Sequence, residues 1–408
     1  MRTWRWILLI VAFVAVHAWL WVLNIAGPGR PFVDVTGVYL NWVRYGIEQG
    51  IWVGLDGPFV YPIAALIPMV MAWIGGAAGY GHGWLLLVTI LDAVALGVVL
   101  RWGRAPERLG AAYWWIAFLL LIGPIALGRI DAVTVALSIM GLAVLIPRPL
   151  IAGLILGLAT WIKVWPAVLI AAVLIVARPA VRLRVLLGVL SITAGIMVTA
   201  LALGGGSTLF SFLTAQTDRG LQIEAPVSTI WMWMTFAGVP GTEVFYSKEL
   251  LTMQVVGPGS DIAVMLATPL MVAALLVIGF LAVRAVRHGA HNSVLAPLSL
   301  GFIASLLFFN KVGSPQFATW LAVPIIAGLV IAAERGGVGF RLPAALVLLV
   351  AVLTQLVYPT YYTELVHLNV PMLLVLTLRN GLYLVLLIWS IRHVTLAARR
   401  SDDGILTA

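Results

Sequence analysis

Runs of about twenty apolar residues recur along the whole chain, and no other feature narrows its possible folds so far. A helix of that length rises about 30 Å, the thickness of a bilayer's hydrocarbon core. Inside lipid each backbone N–H and C=O must be satisfied within its own segment, so such runs are read as membrane-crossing helices. They lie near 6–26, 59–77, 83–101, 111–127, 131–147, 150–177, 185–204, 262–284, 292–310, 315–333, 342–358 and 372–392, about twelve in all. Apolar residues make up 62% of the chain and charged ones 10%, at a mean hydropathy of +1.10. The expected fold is therefore an all-α polytopic transmembrane bundle in one domain, 1–408, with no soluble unit. The 17 Trp and 10 Tyr suit the two headgroup regions, where amphipathic rings settle. With no cysteine, neither disulfides nor thiolate metal sites are available.

Net charge is +9, yet most arginines sit in short loops and at the C-terminus, which speaks for orientation in a membrane rather than for nucleic acid. The first run lacks a small-x-small cleavage site and reads as an uncleaved anchor. Arg178, Arg182 and Arg184, Arg284 and Arg287, Arg335 and Arg341, and Arg399 and Arg400 occupy alternate loops, which places those loops in the cytoplasm. Residues 27–58, 205–261, 310–315 and 359–371 then face outward. Strict alternation also puts Arg101, Arg104 and Arg108 outside, against the positive-inside rule. A short or re-entrant segment between 59 and 177 would repair this, and the run 150–177, broken by Lys163 and Pro166, is the candidate. The 205–261 stretch is long enough to suggest function, and Ile230–Met234 with Phe236 reads as an interfacial helix.

Charges within or beside apolar spans are costly and tend to face the bundle interior. Asp34 follows the first run by about eight residues, in Pro31-Phe32-Val33-Asp34-Val35-Thr36-Gly37-Val38-Tyr39. Arg129 and Asp131 interrupt an otherwise apolar stretch; a local ion pair at an interfacial turn is the plain alternative. Lys163 needs an anion or an escape to water. The turn Asn310-Lys311-Val312-Gly313-Ser314-Pro315-Gln316 offers a cation and hydrogen-bonding groups suited to a phosphate or sugar, or forms a simple hairpin. Arg379-Asn380 in the last span, below Tyr361 and Tyr362, is either a phosphate clamp or a buried structural pair. Asp218, Arg219, Gln222 and Glu224 add further polar groups in the long loop, with solvated loop charge as the alternative.

In order and spacing these residues resemble glycosyltransferase family 87, a polyprenyl-phosphate-sugar-dependent branch of the GT-C superfamily. The resemblance rests on Asp34 to Tyr39, Tyr61-Pro62, Gly128-Arg129-Ile130-Asp131, Lys163-Val164-Trp165-Pro166, Arg219 to Glu224, Lys311 to Gln316 and Arg379-Asn380. It implies a GT-C-type bundle in the cell membrane with its active site on the extracytoplasmic side. The implied reaction is inverting transfer of mannose, or alternatively arabinofuranose, from a polyprenyl-phosphate donor to a glycolipid or cell-envelope glycan. Asp34 would be the general base. Tyr39, Tyr61, Arg129, Asp131, Lys163, Arg219, Gln222, Glu224, Lys311, Ser314, Gln316, Arg379 and Asn380 would bind substrate, and Asp34 should share one cavity with Lys311 and Arg379. No cofactor and no protein-bound metal are expected, although a divalent ion riding on the phosphate stays open. Gly128-Arg129-Ile130-Asp131 and Tyr61-Pro62-Ile63 depart from the family's common Gly-Gln-Asn and Tyr-Pro-Pro, which leaves the sugar unassigned. Asp56 is the rival base, otherwise a turn residue. A secondary transporter or lipid flippase, and a noncatalytic membrane scaffold, are the competing functions.

Overall fold

The apolar runs become helices, and Gly, Pro and charge decide where each one stops. A computed structural model describes residues 3–214, 219–335 and 339–405. The chain opens with α1 (Thr3–Ala26), passes through a π-helical stretch at Asp34–Tyr39 into α2 (Leu40–Gln49), and continues with α3 (Leu66–Met71) and α4 (Gly76–Val99). Then come α5 (Leu109–Ile122), α6 (Ile130–Ala143), α7 (Pro149–Ile162), α8 (Ala167–Val176) and α9 (Pro179–Ala202). The long loop holds α10 (Ser211–Thr214) and α11 (Thr229–Phe236). The bundle closes with α12 (Ser260–Arg287), α13 (His291–Phe308), α14 (Ala322–Arg335), α15 (Arg341–Gln355), the short α16 (Tyr362–Val366) and α17 (Val370–Ile405).

Among the described residues eight segments are long and apolar enough to cross a membrane: Trp4–Ala26, Ile63–Val99, Pro106–Ala126, Pro179–Ala202, Ser260–Arg287, Pro315–Arg335, Arg341–Thr360 and Val370–Ala397. Ile130–Ala143, Pro149–Ile162, Ala167–Val176 and Ser293–Phe308 are shorter apolar helices. The outward faces of α9 (Leu187, Leu190, Val198, Leu201) and α12 (Met265, Leu276, Val277, Phe280) are exposed and apolar. Water would not tolerate contiguous apolar surface on that scale, and lipid would cover it.

The expected crossing over 59–77 is not built. Its helical part runs only over Ile63–Gly75, the six-residue α3 between two 3-10 turns, a rise of about 20 Å and short of the bilayer core, and the chain then turns at Gly76 (φ 63°) into α4. The run 150–177 is interrupted as anticipated: α7 stops at Ile162, Lys163 is extended (φ −154°, ψ 136°), and Pro166 caps α8. Because α3 falls short, residues 101–108 arrive at the same end of the bundle as Arg335. Arg108 donates to Glu334 Oε1 at 2.5 Å, and Arg101 lies 3.3 Å from the same oxygen. That contact corrects the alternation that placed Arg101 and Arg108 on the opposite face.

The all-α expectation holds for the bundle but misses a small sheet in the long loop. Strands β1 (Leu221–Gln222), β2 (Glu243–Ser247) and β3 (Thr252–Val256) pair antiparallel in the order β1-β3-β2, with Leu221 opposite Val255 and Phe245 opposite Gln254. Leu221, Ile223, Val255, Trp231 and Met232 are buried against Leu373 and Leu376 of α17. The helix α11 therefore packs on protein, and only Ile230 and Phe236 of its expected apolar face stay exposed.

Small residues let α7 and α9 approach closely, a packing device that lipid-embedded helices favour. A Cβ on Gly153 would lie 2.1 Å from the Val185 carbonyl oxygen, and one on Gly188 2.3 Å from that of Leu150. Backbone cannot yield as a side-chain tip can. Gly188→Leu is expected to lose about 1–3 kcal/mol by overpacking, read as a lower thermal midpoint of the detergent-solubilised protein.

Candidate active site

Asp34 opens the π-helical stretch, whose i→i+5 hydrogen bonding brings Asp34 and Tyr39 toward one face. Its carboxylate is one-third exposed, and Oδ2 lies 3.0 Å from Nε of the buried Arg129. Nε–H does not aim at that oxygen, so the pair is a close charge contact rather than a directed hydrogen bond. The remaining Arg129 nitrogens hold the guanidinium in place: Nη1 donates to the carbonyls of Pro31 and Gly128, and Nη2 to the Tyr358 hydroxyl at 3.2 Å. Burial works to lower the Arg129 pKa, and Asp34, Tyr358 and Tyr39 together more than offset it.

Asp131 does not pair with Arg129, although they are two residues apart. Arg129 is extended at the N-cap of α6, and Asp131 in the first turn faces the break between α7 and α8. There it accepts Lys163 Nζ at 2.8 and 2.7 Å and Trp320 Nε1 at 2.6 Å. The placement is electrostatically sensible, with an acid at one helix N-terminus and a cation at another's C-terminus. Lys163 Nζ also lies over Phe317 at 4.9 Å and over Tyr61 and Trp320 at 5.8 Å each. Trp320 stacks on Trp165 at 5.2 Å, whose Nε1 donates to Thr134.

Tyr39 and Tyr61 join these two ion pairs. Their rings meet edge to face at 6.3 Å, and the Tyr39 hydroxyl receives the Ile130 N–H at 3.3 Å. Burial raises the Tyr39 hydroxyl well above the ordinary phenol range, helped by Tyr61 and Asp34. It also pushes Tyr61 up to about 12. Both phenols stay protonated near neutral pH and can donate hydrogen bonds, whereas Asp34 can accept a proton. Arg219 lies within electrostatic reach of Tyr61, and burial lowers its pKa. Its Nε is buried without a hydrogen-bond partner among the described residues. Asp218 lies outside the described residues.

A third ion pair ties the long loop to α17. Arg379 Nη1 donates to Glu224 Oε2 at 2.8 Å, Nη2 to the Glu224 carbonyl at 2.6 Å, and Nε and Nη2 to Asn380 Oδ1. Asn380 in turn donates to Thr229. All three guanidinium nitrogens are engaged by protein groups, the arrangement of the buried structural pair. Burial raises the Glu224 carboxyl, and Arg379 opposes that shift.

The outer turn is tied to the same loop through backbone. Gln222 N–H donates to the Lys311 carbonyl at 3.1 Å, and a Cβ on Gly313 would lie 2.1 Å from Ala225 N. Ser314 and Gln316 are half-buried. Among the described residues three buried or half-buried ion pairs mark this region: Asp34–Arg129, Asp131–Lys163 and Glu224–Arg379. Asp56 accepts the Trp52 N–H at 2.7 Å and is exposed, a turn residue. Trp320, Phe317 and Tyr358 were not anticipated, because aromatics in this chain read as interfacial anchors. The buried His17–Asp92 pair between α1 and α4, at 3.2 Å, was also missed.

A polytopic helical bundle with an accessible carboxylate set among buried cations and phenols has the make-up of a membrane-embedded transferase. Residues 59–309, more than half of the chain, match the sequence model of glycosyltransferase family 87, and the protein belongs to that family: it is a glycosyltransferase. No curated protein matches the chain. The matched segment contains Tyr61, Arg129, Asp131, Lys163, Arg219, Gln222 and Glu224 but stops short of Asp34, Lys311 and Arg379. Asp34 and Arg379 reach the matched part through their ion pairs with Arg129 and Glu224.

Proposed function

We propose that the protein transfers a sugar, with mannose preferred over arabinofuranose, from a polyprenyl-phosphate donor to a glycolipid or envelope glycan at the outer face of the cell membrane. The observation that carries this reading is the Asp34 carboxylate, partly open to solvent, held 3.0 Å from buried Arg129 beside two protonated phenols. In the proposed step Asp34 takes the proton of the acceptor hydroxyl while its oxygen attacks the anomeric carbon. The bond from that carbon to the donor phosphate breaks, and the electron pair leaves with polyprenyl phosphate. One displacement inverts the anomeric centre. A retaining route would require a second carboxylate about 5 Å away as nucleophile, and the nearby acid Asp131 is instead fully engaged by Lys163 and Trp320.

Arg219, whose Nε is buried without a hydrogen-bond partner among the described residues, is the cation best suited to meet the departing phosphate, and Lys163 lies near the same Tyr61 ring. Side-chain cations rather than a resident cofactor would carry that charge. The outer-face assignment is supported by Arg101, Arg108 and Arg335 gathering at the bundle end opposite Asp34, as the positive-inside rule asks of a cytoplasmic end. Membranes containing the protein, incubated with a panel of radiolabelled polyprenyl-phosphate sugars, should label product from one donor with inverted configuration. Retained configuration, or transfer from nucleotide sugars alone, would overturn the proposal.

A further inference from the structure

A cavity of about 590 Å³ lies at the other end of the bundle from Asp34. The helix α6 connects the two regions: Arg129 caps its start, while Ile139, Leu142 and Ala143 near its end line the cavity. Its volume falls within the range of roughly 300–1,000 Å³ typical of ligand sites. The walls are apolar, formed by residues such as Val173, Leu295, Ile326 and Val330, and the rim carries Arg101, Arg108, Arg178 and Arg335 against the single acid Glu334. Glu334 is already held between Arg108 and Arg101. Arg108 spends a further donor on the Val99 carbonyl, and His291 Nδ1 is bound to the Val176 carbonyl. Arg178 is exposed. The rim therefore keeps an excess of positive charge above an apolar interior open to the membrane end of the bundle.

We propose that this cavity seats one acyl chain of an acidic phospholipid from the leaflet at that end, among α6, α8, α13 and α14, with the lipid's phosphate against Arg101 and Arg178. Charge complementarity selects an anionic headgroup, since basic pockets between membrane helices recognise such lipids. The apolar depth selects a lipid rather than a free anion.

Native mass spectrometry of the full chain tests this, after purification with equal amounts of phosphatidylglycerol and phosphatidylcholine. Wild type is expected to retain one phosphatidylglycerol under conditions that strip phosphatidylcholine. The double variant Arg101→Ala/Arg178→Ala should lose that preference by about tenfold or more, and Ala327→Trp, which fills the cavity, should lose retention of both lipids. Arg178→Gln changes a surface side chain only and serves as the arm that folds if the double variant does not; it should reduce the preference in the same direction. Equal retention of the two lipids by wild type, a preference unchanged in Arg178→Gln and Ala327→Trp, or displacement of the lipid by inorganic phosphate alone would each overturn the proposal.

Discussion

Asp34→Asn is expected to lower sugar transfer by about 10²–10⁴-fold, the contribution of a positioned general base. The amide keeps the shape of the carboxylate but cannot take the acceptor's proton. Because proton transfer belongs to the transition state, kcat and kcat/KM should fall together while KM changes little. Folding should survive, since Asp34 is one-third exposed, so water reaches this pair as it cannot reach Glu224–Arg379, and Arg129 keeps its bonds to the Pro31 and Gly128 carbonyls and to Tyr358. Asp56→Asn is the matched control. Its carboxylate only accepts the Trp52 N–H in an exposed turn, so activity should stay within about twofold. Radiolabelled donor and membranes of equal protein content are sufficient for the comparison. Transfer by Asp34→Asn at the parent's rate removes Asp34 as the base.

Glu224→Gln should produce the largest loss of stability, about 3–5 kcal/mol, because it leaves the Arg379 guanidinium buried beside a neutral partner. Side-chain exposure is 3% for Arg379 and 5% for Glu224, so water cannot step in. The pair fastens the loop carrying β1 to α17, and through Gly313 and Gln222 the outer turn is fastened to the same loop. The double variant Glu224→Gln/Arg379→Met should recover most of the thermal midpoint, since removing both charges also removes the desolvation cost. A double variant no more stable than Glu224→Gln alone would instead assign the loss to the other contacts of Arg379.

The site was legible from sequence as a set of residues but not as a set of partners. Arg129 and Asp131 sit two positions apart, which suggests a local pair, yet Arg129 is extended and Asp131 lies in the first turn of α6, so the two point to different neighbours. Asp34 and Lys163 are the partners that result, from 95 and 32 residues away. Arg379 was recognisable as a costly membrane charge. Only the fold shows that each of its three nitrogens already donates to Glu224 or Asn380. Trp320 gave no advance signal, because one tryptophan among 17 is indistinguishable from an interfacial anchor until Asp131 is seen to accept its N–H.

By itself the sequence determined that the chain is a helical membrane protein, since apolar runs of bilayer length have no other way to satisfy their backbone in lipid. It also placed the break at Lys163 and Pro166, because a charge interrupts the apolar run there and a proline cannot continue a helix. Tertiary structure alone decided that α3 does not cross, that residues 101–108 join Arg335 at one end, and which acid holds which cation. Those outcomes depend on contacts between segments far apart in the chain, where hydrophobic periodicity carries no information and the cost of an unpaired buried charge selects the partner.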